Sequence, residues 1–237
     1  MAKNTPEGLV GMLGTIVFYT MNGKSYARTK PARRKRKRGE KPNPHLAIFG
    51  KVSKHGSAIT GQLSKHVKFK FGLPPYNRMR KWIFEGYSVN HSLPLWELSA
   101  QHSGMCQLSN DTDMRDYFRA NLTVSDNSNG IVLVEIPPFN PVQKIKAPKQ
   151  AKNITVRLIA VSSCFDKGVV ISGVAAESHT FPYNNEVITF PVMELKTKGA
   201  TGDIAVVALA IEYETATQVI TENKWLPAAA LAIGRLK

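Results

Sequence analysis

The side chains best suited to chemistry in this 237-residue chain are the cations between Pro31 and Pro44. That segment, PARRKRKRGEKPNP, holds seven Lys and Arg and the single acid Glu40. Guanidinium groups can hold phosphate oxygens through two parallel hydrogen bonds, and lysines add point charges. Because Ala32 is its only hydrophobic residue besides proline, the segment cannot bury itself. We expect an extended, solvated arm that binds a polyanion.

Positive charge is concentrated in the first third of the chain. The formal net charge is +15, and residues 1–90 carry 19 Lys and Arg against 3 acids, whereas residues 91–237 carry 13 against 14. This asymmetry favours nucleic acid as the partner, bound non-specifically through its phosphates. The candidate nucleic-acid-binding residues are Arg28, Lys30, Arg33, Arg34, Lys35, Arg36, Lys37, Arg38, Lys41, Lys51, Lys54, Lys65, Lys68, Lys70, Arg78, Arg80 and Lys81. Aromatic residues nearby are Tyr19, Tyr26, Phe69, Phe71, Tyr76 and Trp82, which can stack on unpaired bases but for the most part are expected to pack within the fold.

Patterns for catalysis and metal binding are weak. Cys106 and Cys164 lie in no CxxC or CxxH context, which excludes a thiolate zinc site and predicts two buried, reduced thiols. The histidines show neither HxH nor HxxxH spacing, and we interpret His55 and His66 as further cationic contacts to phosphate. NDTDMRD lacks the Gly and Glu positions of a calcium loop counted from Asp111, which favours helix capping. We expect no enzymatic activity, no catalytic residue, no metal and no other cofactor.

The start of the chain does not resemble a secretory signal. Glu7 precedes the first apolar stretch, glycines interrupt it, and no small-residue cleavage site follows. No apolar run approaches the roughly 20 residues that a membrane span needs. We expect cytoplasmic synthesis without a signal peptide, which is compatible with a place in a particle or filament.

Local patterns predict a hairpin and then helices before the β-rich part. TIVFYTMNGKSYAR has two β-prone runs around Asn22-Gly23, a pair typical of a type I′ hairpin turn, and the glycine-rich GLVGMLG before it reads as a flexible entry to a strand. Apolar residues at helical spacing predict a helix that begins at Pro44, with Asn43 as N-cap; they are Ile48, Val52, Ile59, Leu63 and Val67. Gly50, Gly56 and Gly61 weaken that helix. PPYNRMRKWIFEGY predicts a second helix, with Met79, Trp82 and Ile83 on one side.

Beyond residue 88 the pattern is β. Short β-branched runs such as GIVLVEI, NITVRLIAVSS, GVVISGVAA, EVITFPVMEL and DIAVVALAIEYE are separated by turn residues, and ATQVIT and PAAALAIGRL are predicted to form a closing hairpin. The predicted fold is mainly β with a smaller α part. Its segments are an N-terminal β-hairpin (1–29), the basic arm (30–43), a basic helical segment (44–88) and a C-terminal antiparallel, immunoglobulin-like β-sandwich (89–237).

The N-terminal order of these features resembles a family of uncharacterised Bacteroidetes proteins. The resemblance rests on the glycines before TIVFYTMNGKSYAR, a charged stretch with Asn-Pro, a helical region and a C-terminal β-sandwich, and it is closest over residues 8–70. ARRKRKRGEK departs from it by being more basic than the corresponding segment. The family has no assigned activity, so the resemblance implies the fold and a non-enzymatic role.

These features leave several functions open. A basic arm on a β-sandwich is the layout of many capsid subunits. The first hypothesis is therefore a structural protein that packs through its predicted β-sandwich segment, residues 89–237, which we call the β-domain, into a homo-oligomer or larger assembly and binds nucleic acid or another polyanion. The second is a monomeric RNA- or ribosome-associated accessory protein, and the third is an enzyme acting on nucleic acid. The arm also matches a nuclear localisation signal, a segment that docks on an anionic membrane, or a solvated tail.

Overall fold

The chain forms two compact units, Met1–Asn43 and Pro44–Lys237. The computed structural model describes residues 3–6, 8–21, 23–30, 44–67, 73–89, 105–127, 130–164 and 170–236. Within those ranges the fold is mainly β, with three antiparallel sheets and four helices, as the sequence predicted. Residues 31–43, which make up most of the predicted basic arm, lie outside the described ranges.

The N-terminal unit is a four-stranded antiparallel meander. Its strands are β1 (Lys3–Thr5), β2 (Gly8–Leu13), β3 (Ile16–Met21) and β4 (Lys24–Thr29), in that order across the sheet. The predicted hairpin is confirmed, because β3 pairs with β4 from Met21–Lys24 outward and Gly23 has φ +72°. The GLVGMLG stretch is more than a flexible entry, since it forms β2 with a neighbour on either side. Pairing with both neighbours offsets the weak strand preference of its glycines.

Two long helices open the second unit: α1 (Pro44–Leu63) and α2 (Leu73–Val89). Helix α1 begins at Pro44, as predicted, and Asn43 lies outside the described residues. It continues through all three glycines, and Gly56 lies against the backbone of Arg80 on α2, which allows the helices to approach closely. The predicted apolar faces are confirmed by the near-complete burial of Val52, Ile59, Leu63, Met79, Trp82 and Ile83.

The rest of the unit contains two sheets. Its elements are β5 (Cys106–Gln107), α3 (Met114–Tyr117), β6 (Thr123–Asn127), β7 (Ile131–Glu135), α4 (Pro141–Lys144), β8 (Asn153–Cys164), β9 (Val170–Pro182), β10 (Met193–Lys196), β11 (Ile204–Glu214), a 3-10 turn (Asn223–Trp225) and β12 (Ala228–Arg235). Five strands pair in the order β5-β12-β11-β8-β9, and three in the order β10-β7-β6. The predicted closing hairpin is wrong, because β12 pairs with β11 and β5, while Val219 of ATQVIT bridges to Glu214.

The five-stranded sheet is covered on both faces. Helices α1 and α2 pack on one face, over side chains such as Ile159 and Val206. The three-stranded sheet packs on the other, where Leu158 and Leu209 meet Val134. Burial on both faces explains why β11 reads as a nearly continuous apolar run. The immunoglobulin-like sandwich outline and the division at residue 88 stay predictions.

Candidate nucleic-acid interface

Three lysines follow one exposed face of α1. Burial of Val52 and Ile59 in the core fixes the orientation of the helix. Lys51, Lys54 and Lys65 are exposed, and their spacing of three and eleven residues keeps them on one side of the helix and its C-terminal turn. We call these three residues the lysine stripe. Such a row presents ammonium groups to an extended anion at successive turns.

The helical region lacks acids that would neutralise these charges. Residues 44–89 contain eight Lys and Arg and a single acid, Glu85. Glu85 lies 3.6 Å from Lys81, with side-chain exposures of 46% and 77%. Exposed i,i+4 pairs of this kind contribute only about 0.3–0.5 kcal/mol, so Lys81 stays available to other anions. The outer surface of α1 and α2 is therefore positively charged.

Arg80 adds a cation that lies against aromatic rings. Its Cζ is 4.8 Å from the ring centroid of Phe49 and 5.7 Å from that of Tyr76. Phe49 is 43% exposed and meets Phe84 edge-on, with 6.2 Å between ring centroids. Cation–π contact holds the guanidinium in place while leaving its N–H groups able to donate.

Arg78 has a different environment, which the sequence did not indicate. Its Nε donates to the carbonyl oxygen of Gln107 at 2.8 Å, and its Nη2 donates to that of Ser109 at 2.8 Å and to Asn110 Oδ1 at 3.3 Å. These bonds join α2 to the segment around β5. The guanidinium thus has a structural role alongside the phosphate contact predicted for it.

The N-terminal sheet carries a second group of cations, next to two tyrosines. Lys24, Arg28 and Lys30 are exposed. Tyr19 and Tyr26 face each other across β3 and β4, with ring centroids 5.5 Å apart and planes 19° from parallel. The Arg28 guanidinium carbon lies 5.6 Å from the Tyr19 centroid. Aromatic and cationic groups therefore alternate on this face.

Nine of the predicted cations lie outside the described residues. They are Arg33, Arg34, Lys35, Arg36, Lys37, Arg38, Lys41, Lys68 and Lys70, and the aromatic candidates Phe69 and Phe71 lie there too. Trp82 is only 5% exposed within the helix–sheet core, so it packs rather than offering a surface for a base.

The interpretation of His55 as a phosphate contact is wrong. His55 is 2% exposed, and its Nδ1 is hydrogen-bonded to Ser163 Oγ at 2.8 Å. Burial, and then the nearby charge of Lys51, lower the pKa of His55, so its neutral form is favoured. A serine beside an imidazole is also the pairing of a nucleophile with its base, but Ser163 is fully buried and out of reach of a substrate. His66 is half-buried, and its pKa is lowered by burial and then by Arg157 and Lys65.

The two cysteines and Asp113 differ in their environments. Burial raises the pKa of the Cys106 thiol to about 12, so it stays protonated, whereas Cys164 is only half-buried, contrary to the prediction. Asp113 caps α3 by accepting a hydrogen bond from the Arg115 N–H, which confirms capping within NDTDMRD. Over the described ranges, no three His, Cys, Asp or Glu side chains are grouped in a way that could hold a metal ion.

A groove of about 580 Å³ opens between β9 and β10. Its lining mixes Glu177 and Glu194 with His179 and Lys196, so its charge does not favour phosphate.

In the part of the chain that the structure describes, no helix is both long and apolar enough to span a membrane. No family model, curated protein or solved structure matches this chain.

Proposed function

We propose that this chain is a non-enzymatic structural protein that binds nucleic acid through phosphate contacts and packs into a larger assembly through its β-domain. The proposed binding rests mainly on the lysine stripe. Lys51, Lys54 and Lys65 are held outward by the core beneath α1, and the helical region around them has only Glu85 as an acid. A local excess of cations destabilises a protein through self-repulsion, and an anionic partner relieves that cost.

Phosphate-directed binding explains the composition of the surface. Positive charge is common to the predicted arm, the lysine stripe and the cations of β4. These segments have no base-reading motif in common. Neutralising phosphates releases condensed counterions, which gives affinity that falls steeply with salt and depends little on sequence.

Exposed apolar side chains support assembly. Large hydrophobic residues at the surface of the N-terminal sheet, with exposures between 37% and 62%, are Leu9, Val10, Met12, Leu13 and Ile16. In the β-domain, Val187 and Val192 are 69% and 55% exposed. Apolar groups gathered on a surface are typical of contacts between subunits. A chain that binds RNA as a monomer is the alternative, and particle mass separates the two.

Replacing the lysine stripe tests the binding. The variant K51Q/K54Q/K65Q should flatten the slope of log K against log salt by roughly 2 for a single-stranded oligonucleotide, because about three phosphate contacts are lost. The measurement is fluorescence anisotropy across a salt series.

The matched control is K144Q/K149Q/K152Q, which makes the same change in net charge on exposed residues of the β-domain. It should retain the wild-type slope. Equal flattening in both variants would mean that net charge alone sets affinity, and an unchanged slope in the stripe variant would remove α1 from the interface.

A further inference from the structure

We propose that the face of the β3–β4 hairpin that carries Tyr19 and Tyr26 is a stacking surface for unpaired bases, so that the preferred ligand is single-stranded nucleic acid. This inference rests on the proposed function and specifies its ligand. Phosphate contacts alone do not distinguish a single strand from a duplex, whereas an aromatic surface binds only bases whose faces are exposed.

Strand geometry places the necessary groups on one face. Side chains alternate along a strand, so Lys24, Tyr26 and Arg28 share a face of β4. The register pairs Tyr19 directly with Tyr26, and Val17 with Arg28, which puts Tyr19 on that same face. Cationic groups thus lie on both sides of Tyr26 along β4. Lys24 and Arg28 are four residues apart, about 13 Å along the strand, with Tyr26 midway between them.

The rings are arranged for stacking rather than buried as a core. They are nearly parallel, with 19° between planes, and Arg28 lies over Tyr19 at 5.6 Å. Tyr26 is 38% exposed, and every residue of β4 is exposed. A cross-strand aromatic pair also stabilises a hairpin, by about 0.5–1.5 kcal/mol. That role does not account for the lysine and arginine aligned with the pair on the same face.

The opposite face of this sheet has another character. Leu13 pairs with Ile16, and Ile16 lies three residues before Tyr19, so strand alternation places it on the other side. Leu13 is 62% exposed and Ile16 is 40% exposed. The opposite face is therefore apolar at Leu13 and Ile16, whereas the tyrosine face carries the exposed apolar side chain of Met12 beside its aromatic and cationic groups.

The test compares three probes of equal length, about 16 nucleotides: oligothymidylate, an abasic strand with the same phosphates, and a duplex. The wild-type full-length chain should bind oligothymidylate about tenfold more tightly than the abasic strand. Y26L should lose this tenfold preference, about 1.4 kcal/mol, while its affinities for the abasic strand and the duplex stay unchanged. Y26F keeps the ring and should behave as the wild type. A parallel measurement with oligouridylate tests RNA in the same way.

Several results would overturn the inference. If Y26L binds oligothymidylate as well as the wild type, or if it weakens binding to all three probes equally, the hairpin face is not a base-stacking surface. Loss of affinity in Y26F as large as in Y26L has the same meaning. If the wild type binds with salt-dependent affinity but does not prefer oligothymidylate to the abasic strand, this inference is rejected and the proposed function stands. Absence of binding to every probe would reject both.

A second measurement does not depend on the folding of a variant. Wild-type protein is irradiated with an oligonucleotide containing 5-iodouracil, and the cross-linked peptides are mapped. Cross-links at Tyr19 or Tyr26 are expected. Cross-links confined to other segments would contradict the assignment.

Discussion

At the scale of single residues, burial decides which polar groups can reach a ligand. His55 and Ser163 form a hydrogen-bonded pair inside the core, whereas Lys51 and Lys54 on the same helix are exposed. A buried imidazole has lost its hydration, so protonation would place an unsolvated charge between α1 and the sheet. His55 therefore stabilises the fold only while it is neutral.

The pH dependence of stability follows from the lowered pKa of His55. Below the ordinary histidine pKa of about 6.5, the unfolded chain binds a proton that the folded chain resists, so stability falls as pH falls. Denaturant unfolding should show H55N to be less stable than the wild type by about 1–2 kcal/mol at pH 7, because a buried hydrogen bond is perturbed. The difference should shrink toward pH 5, since only the wild type loses the contribution of His55. A constant difference across this range would show that His55 is not held neutral.

At the scale of elements, the two sheets meet where a backbone carbonyl approaches a glycine. Gly173 lies in β9, and a Cβ on it would overlap the carbonyl oxygen of Thr197, just after β10. The Thr197 hydroxyl donates to the carbonyl oxygen of Gly130 at 2.9 Å, which joins the end of β10 to the turn before β7. Glycine at position 173 is required for this close approach.

Substitution of Gly173 should therefore be severely destabilising. We expect G173A to lower the free energy of unfolding by about 3 kcal/mol or more, because a backbone carbonyl cannot move aside as a side chain can. G61A is the matched control, since Gly61 of α1 has open space around its Cβ position. Alanine there should raise stability by about 0.5–1 kcal/mol through helix propensity. Denaturant unfolding measures both, and wild-type stability in G173A would contradict the packing described for the two sheets.

Local sequence signals were sufficient for elements in which the periodicity of the side chains determines which residues pair and which are buried. Asn22-Gly23 predicted the β3–β4 hairpin, and helical spacing predicted both the buried Val52 and the exposed side of α1. Pairing of Tyr19 with Tyr26 follows from the same hairpin, so the stacking candidates were accessible from sequence.

Two kinds of feature could not be predicted from the sequence. Strand β2 forms because the strands directly before and after it pair with a glycine-rich segment of low strand propensity. Contacts between residues far apart in sequence are the second kind. The burial of His55 depends on a strand that lies 108 residues further along the chain, and Arg78 finds its acceptors 29 and 31 residues away. The periodicity of a helix or strand carries no information about such contacts. His55 and Arg78 were therefore predicted to be cations at the surface.

At the scale of the whole molecule, positive charge is distributed unevenly along the chain. The cations are concentrated in the first 90 residues, and the β-domain after them is close to neutral. Under the proposed function, the N-terminal third binds nucleic acid and the surface of the β-domain makes the contacts between subunits. On the same proposal, we expect the predicted arm, residues 30–43, to make the largest single contribution to affinity, because it holds seven Lys and Arg after Pro31.

The most direct test of this account is a salt series with a variant in which Arg33, Arg34, Lys35, Arg36, Lys37 and Arg38 are all glutamine, with particle mass recorded in the same samples. The slope of log K against log salt should flatten by roughly 4 for a single strand, because about six phosphate contacts are lost. A charge-matched control with glutamine at Lys144, Lys146, Lys149, Lys152, Lys196 and Lys224 should keep the wild-type slope. Wild-type mass should rise beyond one chain when nucleic acid is added, whereas a constant monomer mass would favour the accessory role. An arm variant that binds with wild-type slope would contradict the central claim.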